Sequence, residues 1–251
     1  MANEFLKKTI VITGASRGIG AAMALQFAQK GANLILGYQN ESDALENLRV
    51  EMNPFKENIH FIKGNISEPE VSNNLCTTAL TKFNSLDIVI ANAGKHYFGP
   101  FAKIDEEELR ALLDTNQLGV YFLLKEAGKI MKKNKAGIVL TVSSTFASSV
   151  TRMNVLYAAS KSFVETMTKG FALEYSKYGI RANVIAPGIT ETEMNRVALA
   201  TSRESMKESN LQHKIAQPNE IAKVALFLCS NDASHVNGQI VKVDGGSLGG
   251  F

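Results

Sequence analysis

The run Thr9-Ile10-Val11-Ile12 passes directly into Thr13-Gly14-Ala15-Ser16-Arg17-Gly18-Ile19-Gly20, and an apolar segment of helical period follows as far as Lys30-Gly31. β-Branched residues, then three glycines, then a helix define a strand–turn–helix unit. At such a turn the free backbone N–H groups and the helix dipole favour a phosphate, and glycine lets the backbone come close to it. The G-x-x-x-G-x-G spacing is neither the tighter G-x-G-x-x-G nor a P-loop, because no Lys-Ser or Lys-Thr pair follows. Triphosphate chemistry is therefore not expected. A ligand-free glycine turn is the weaker alternative with three glycines in this setting.

Short β-branched runs go on alternating with longer helical segments, the pattern of repeated strand–helix–strand units in a parallel sheet. The spacing predicts strands at Thr9–Ile12, Leu34–Leu36, Ile59–Ile62, Ile88–Ile90, Gly137–Val142, Ala182–Ile185 and Gln239–Val243. The first four are short and apolar, as a strand covered on both faces should be. Helices are expected from about Ile19 to Lys30, over Asp105–Lys133, over Asn154–Tyr178 and over Pro218–Leu228. Residues 190–212 are polar, Met- and Ser-containing and weakly periodic, which suits a mobile cover better than a core element. Residues 1–251 read as one α/β domain without repeat or linker.

Apolar residues at 45% and charged residues at 20% of 251 can build a sizeable core, and a net charge of +3 is too mild for a nucleic-acid groove. No stretch reaches the roughly 18 apolar residues that span a bilayer, so no membrane partner is expected. Cys76 and Cys229 lie far apart in apolar helical segments and read as buried hydrophobes, consistent with a reducing, cytoplasmic setting. His60, His96, His213 and His235 have no metal-ligand spacing, and no catalytic metal is implied.

The Thr13–Gly20 turn resembles the cofactor turn of the short-chain dehydrogenase/reductase family. The remaining motifs follow in order: Asn92-Ala93-Gly94 after the fourth strand, Pro187-Gly188 after the sixth, and Gly238-Gln239 through Val243-Asp244-Gly245-Gly246 at the end, the last similar to the 3-oxoacyl-[acyl carrier protein] reductase-like members. The resemblance implies a Rossmann-type doubly wound sheet of seven parallel strands flanked by helices, and a nicotinamide cofactor. In such folds an acid after the second strand binds a ribose 2′-OH, whereas a cation accepts a 2′-phosphate. Here that strand runs out as Gly37-Tyr38-Gln39-Asn40 with no acid at the expected place, and Arg17 lies in the turn, so NADP(H) is expected. The implied contacts are Gly14, Ser16, Arg17, Gly18, Ile19 and Gly20, with Tyr38 after the second strand. Asn65 and Ile66 follow the third strand, where the family usually has Asp before the second of them. Asn92, Ala93, Gly94, Pro187, Gly188, Ile189 and Thr192 complete the set with Tyr157 and Lys161.

Tyr157 and Lys161 are four apart at the start of a helix, so their side chains share one face. A nearby ammonium favours phenolate and should lower the tyrosine from about 10 toward the working pH, making Tyr157 a credible acid. Ser144 leaves the fifth strand, where open parallel sheets place ligands; Ser143 competes, and the family spacing to Tyr157 selects Ser144. By resemblance, Asn116 holds a water that links Lys161 to solvent. These four residues imply hydride transfer between nicotinamide and a carbonyl carbon, with Ser144 polarising the oxygen and Tyr157 protonating it.

The segments around His96-Tyr97-Phe98, Thr145-Phe146 and Arg152-Met153-Asn154 should line a substrate pocket with the 190–212 cover. Acyl-carrier-protein reductases commonly have Arg before the Glu that matches Glu174; here Leu173 stands there, and Lys132 and Lys133 are the nearby positive charges. A 3-oxoacyl-carrier protein and a free ketone therefore both stand as substrates, and an acyl carrier protein as a partner. The rivals are an NADPH sensor without turnover, an enoyl reductase, disfavoured by the Tyr–Lys spacing, and a hydrolase, disfavoured by the lack of G-x-S-x-G. Resemblance further implies a homotetramer, with Gly249-Gly250-Phe251 packing on a neighbour.

Overall fold

A computed structural model describes residues 4–247. The seven strands are β1 (Thr9–Thr13), β2 (Asn33–Tyr38), β3 (Ile59–Lys63), β4 (Ile88–Ala91), β5 (Gly137–Val142), β6 (Ile180–Pro187) and β7 (Ile240–Val243). They form one parallel sheet in the order β3-β2-β1-β4-β5-β6-β7. The order reverses between β1 and β4. There the chain leaves neighbouring strand ends in opposite directions and opens a crevice at their carboxyl ends.

Alternate strand residues feed two cores, which is why the central strands β1, β2 and β4 are apolar along their middles. Ile10, Ile12, Leu34, Leu36, Ile88, Ile90 and Leu140 face helices α1 (Gly18–Gln29) and α8 (Pro218–Leu228), with Met23, Phe27, Ile221 and Leu228 buried against them. Val11, Ile35, Val89 and Val139 face the other layer, made of α3 (Pro69–Phe83), α5 (Gly119–Asn134) and α6 (Val155–Tyr175). This is the expected doubly wound, single-domain architecture.

The departures are local. Helix α2 (Asp43–Glu51) was not foreseen: it buries only Leu45 and Leu48 and owes its start to Ser42, whose side chain accepts the Leu45 N–H. The expected helix Asp105–Lys133 is α4 (Glu106–Leu113) and α5 joined by a π turn over Asp114–Leu118, and this widening sets Thr115 and Asn116 into the interior. Strand β6 is two residues longer at each end than the apolar run Ala182–Ile185. The 190–212 segment contains a helix, α7 (Arg196–Glu208), broken at Ser202 and burying only Leu199. The packing expected of Gly249-Gly250-Phe251 lies outside the described residues.

Candidate active site

The crevice is a cleft of about 440 Å³ running from the β2 end to the start of α6. At its centre the glycine turn is held by Asn92, whose amide donates to the carbonyls of Thr13 and Gly14 (3.0 Å each), while the Thr13 hydroxyl accepts the N–H groups of Asn92 and Ala93. Gly14 and Gly18 have φ of +63° and +56°, conformations that favour glycine. A Cβ on Gly14 would lie 2.7 Å from Ala93 Cα, and one on Gly20 2.2 Å from the Gly14 carbonyl oxygen. The turn is a cradle without room for side chains. Arg17, the N-cap of α1, makes no side-chain cap bond, which leaves the helix's first N–H groups facing the cleft.

Gly14, Ser16, Arg17, Gly18, Ile19, Gly20, Tyr38, Ile66, Asn92, Ala93, Gly94, Pro187, Gly188, Ile189 and Thr192 all line this cleft with Ser144, Tyr157 and Lys161. Asn65 does not: it lines a separate shallow opening beside Ser67 and Arg110, and its Oδ1 accepts the Ser67 N–H. Asn116 is fully buried behind the wall. Its Oδ1 accepts the Lys95 N–H (2.7 Å), and its Nδ2 donates to the Lys95 carbonyl and the Ser160 hydroxyl (2.9 Å each). Both ends of the amide are engaged within the protein, so the side chain is a brace for the Gly94–Lys95 backbone and for α6.

The Tyr157 phenol lies beside Ser144, whose hydroxyl accepts the Phe146 N–H. Ser143 points elsewhere, donating to Glu165 (2.9 Å). The Tyr157 ring packs edge-on against His96, centroids 4.6 Å apart, and against Phe146. His96 Nε2 meets Asn154 Oδ1 at 2.9 Å, and burial lowers its pKa, which keeps the imidazole neutral. Lys161 donates to the Val142 carbonyl at 2.9 Å, and its Nζ lies 5.9 Å from the centre of the Tyr157 ring.

The expectation of a lowered tyrosine is corrected here. Burial pushes the Tyr157 phenol up to about 12, opposed only by the Ser144 hydrogen bond, and brings Lys161 down to about 8. Four-residue spacing puts the two on one face, but the ammonium turns to Val142 rather than to the phenol. Desolvation then dominates each group.

Two acidic participants escaped the sequence reading. Glu193 lines the cleft and pairs with Arg17 at 2.8 Å, joining the 190–212 segment to the glycine turn across 176 residues of sequence. Glu41 also lines it, three residues beyond the strand end at which no acid was expected, and bonds the Tyr38 hydroxyl (2.7 Å) and Arg49 (3.0 Å). An acid next to the cofactor-contact candidate Thr192 was the available signal for Glu193. A loop acid just past Tyr38 was the signal for Glu41.

The chain matches the family described as enoyl-(acyl carrier protein) reductase over residues 14–247. It is 33% identical to glucose 1-dehydrogenase 2 of Bacillus subtilis (strain 168), over 98% of this chain and 96% of that protein. The fold is similar to the crystal structure of a short-chain dehydrogenase/reductase, described as a glucose/ribitol dehydrogenase, from Brucella melitensis (TM-score 0.89, 30% identity, 98% of each chain). It is also similar to a short chain dehydrogenase from Burkholderia cenocepacia J2315 in complex with NADP (TM-score 0.90, 25% identity, 97% of this chain and 99% of that one). The protein belongs to the short-chain dehydrogenase/reductase family of oxidoreductases.

Proposed function

We propose that this protein is an NADP(H)-dependent oxidoreductase that reduces a carbonyl to an alcohol, or runs the reverse. The observation that carries the reading is the meeting of Ser144, Tyr157 and buried Lys161 in the same cleft as the glycine cradle. The turn fits a dinucleotide, because Gly14, Gly18 and Gly20 line the cleft in a backbone packed too closely for side chains at Gly14 and Gly20. Gly14, Ser16, Gly18, Ile19 and Gly20 would hold the pyrophosphate and Arg17 the 2′-phosphate. Tyr38 and Ile66 would flank the adenosine end, and Pro187, Gly188, Ile189 and Thr192 the nicotinamide end, with Asn92, Ala93 and Gly94 between. The relative bound to NADP supports this choice of cofactor.

The nicotinamide supplies or takes up the hydride. Tyr157 holds the proton for the substrate oxygen; a phenol pushed up to about 12 is protonated at neutral pH, the form a donor to a developing alkoxide needs. The Ser144 hydroxyl, beside Tyr157, polarises the same oxygen. Lys161 donates to the Val142 carbonyl with its Nζ 5.9 Å from the Tyr157 ring centre, and Asn116 positions Lys161's helix and the Gly94–Lys95 wall. Residues 190–212 act as the cover, and in the ligand-free chain Glu193 of this segment pairs with Arg17.

The substrate class turns on Leu173, 81% exposed where an acyl-carrier-protein reductase would commonly present Arg, and on Lys132, which lies over the Tyr178 ring at 4.9 Å rather than reaching out alone. Both favour a free ketone or alcohol over a carrier-bound 3-oxoacyl thioester. We place the protein in the cytoplasm as a homotetramer, with exposed Leu118, Tyr121 and Phe163 on the α5–α6 side as interface candidates; light scattering at the mass of one chain would refute the tetramer. Oxidation of NADPH and NADH against acetoacetyl thioesters, β-ketoesters, aryl ketones and sugars tests the function. Turnover preferring NADPH supports it, and tight NADPH binding with no turnover on any carbonyl identifies a sensor instead.

A further inference from the structure

We infer that Arg49 sets the preference for NADP(H) over NAD(H) by masking the carboxylate of Glu41, a role that rests on the cofactor reading above. Glu41 lies in the cleft wall at the β2 end together with Arg17, Ser16 and Tyr38. Left free, a carboxylate there would repel a 2′-phosphate, and it would offer an acceptor to a ribose 2′-OH. Neither of its oxygens is free: Oε1 accepts the Tyr38 hydroxyl (2.7 Å) and Oε2 accepts Arg49 Nη1 (3.0 Å).

Arg49 is not itself a wall of the cleft. It extends from α2, and its guanidinium lies 5.4 Å from the centre of the Tyr38 ring and 5.5 Å from that of Phe61. Nη2 also donates to the Tyr38 hydroxyl (3.1 Å), and Nη1 pairs with Glu46. Two rings and three polar partners hold the cation in one place. The same contacts engage both Glu41 carboxylate oxygens and set a guanidinium against its charge. Arg49 is therefore a positioning residue: Arg17 attracts the phosphate, and Arg49 removes the charge that would repel it.

The test is calorimetric titration of the ligand-free protein with NADP+ and NAD+, for wild type, Arg49→Met, Glu41→Gln and the double variant. Methionine keeps the apolar stem over Tyr38 and Phe61. Arg49→Met should weaken NADP+ by about tenfold and change NAD+ by less than about twofold, a discrimination of the size one uncompensated charge supplies near the surface. The double variant should return NADP+ affinity to within about threefold of wild type, because the charge to be masked is gone. Equal loss of both cofactors in Arg49→Met, or no recovery in the double variant, overturns the masking role and leaves the NADP(H) reading standing. A wild type that prefers NAD+ overturns both.

Discussion

Replacing Lys161 by Met removes a buried ammonium and turns the acid–base state of the site into a stability measurement on the ligand-free chain. In the native protein Lys161 is held at about 8, against 10.5 for a free lysine, because burial penalises its charged form. Between these values the unfolded chain binds the proton that the native chain has released, so stability rises with pH through this window. From pH 7 to pH 9 the gain amounts to about 1 kcal/mol at 25 °C. Cys76, Cys229 and Tyr157, all pushed up to about 12 by burial, act in the opposite sense at alkaline pH, but they do so in both proteins and drop out of the comparison. At pH 7 the relief of removing the charge is set against leaving the Val142 carbonyl without its donor, about 1–3 kcal/mol. Urea denaturation of wild type and Lys161→Met at pH 7 and pH 9 reads the difference. The wild type should gain about 1 kcal/mol more than the variant. Stabilities that move in parallel would mean that Lys161 keeps its proton throughout, and would remove burial as the force on its pKa.

Arg17→Ala should weaken NADPH by about 10- to 100-fold, the worth of a charge-assisted contact to phosphate, with NADH changed by less than about threefold; fluorescence titration decides, and equal losses would withdraw the phosphate role. Glu193→Gln frees Arg17 from a pair exposed on both sides, so NADP+ should bind about two- to fivefold more tightly, and an unchanged dissociation constant would show that the pair does not compete with the ligand.

The parts of this molecule that were readable in sequence are those that depend on local pattern. Central strands buried on both faces are apolar along their middles, which marks β1, β2 and β4 most plainly, and the glycines of the turn are demanded by the positive φ of Gly14 and Gly18 and by the approach of Gly20 to a carbonyl. Helix α8 announces itself through Pro218 and Glu220, which closes a capping box on Gln217. What stayed hidden depends on partners far away in sequence or on direction. The π turn leaves the apolar pattern of 105–133 continuous, so nothing marks the break. Helix α2 buries two residues and α7 one, too few to produce a period. Arg17–Glu193 is a meeting of two elements whose spacing no local rule supplies. The state of Tyr157 follows from where Lys161 Nζ turns, and a four-residue interval fixes the shared face but not that direction. Asn65 follows the third strand as its resemblance requires, yet the loop carries its side chain to Ser67 and away from the cleft.

The central claim is that Tyr157 delivers the proton in an NADPH-dependent carbonyl reduction. The most direct measurement is NADPH oxidation by wild type and Tyr157→Phe with the best ketone of the panel, alongside NADPH binding by each. The account predicts turnover in wild type, a loss of at least about 100-fold in the variant and cofactor affinity within about threefold, since a general acid contributes about 10²–10⁴-fold to rate and the lost hydroxyl pairs with Ser144. Turnover by Tyr157→Phe within tenfold of wild type would contradict it.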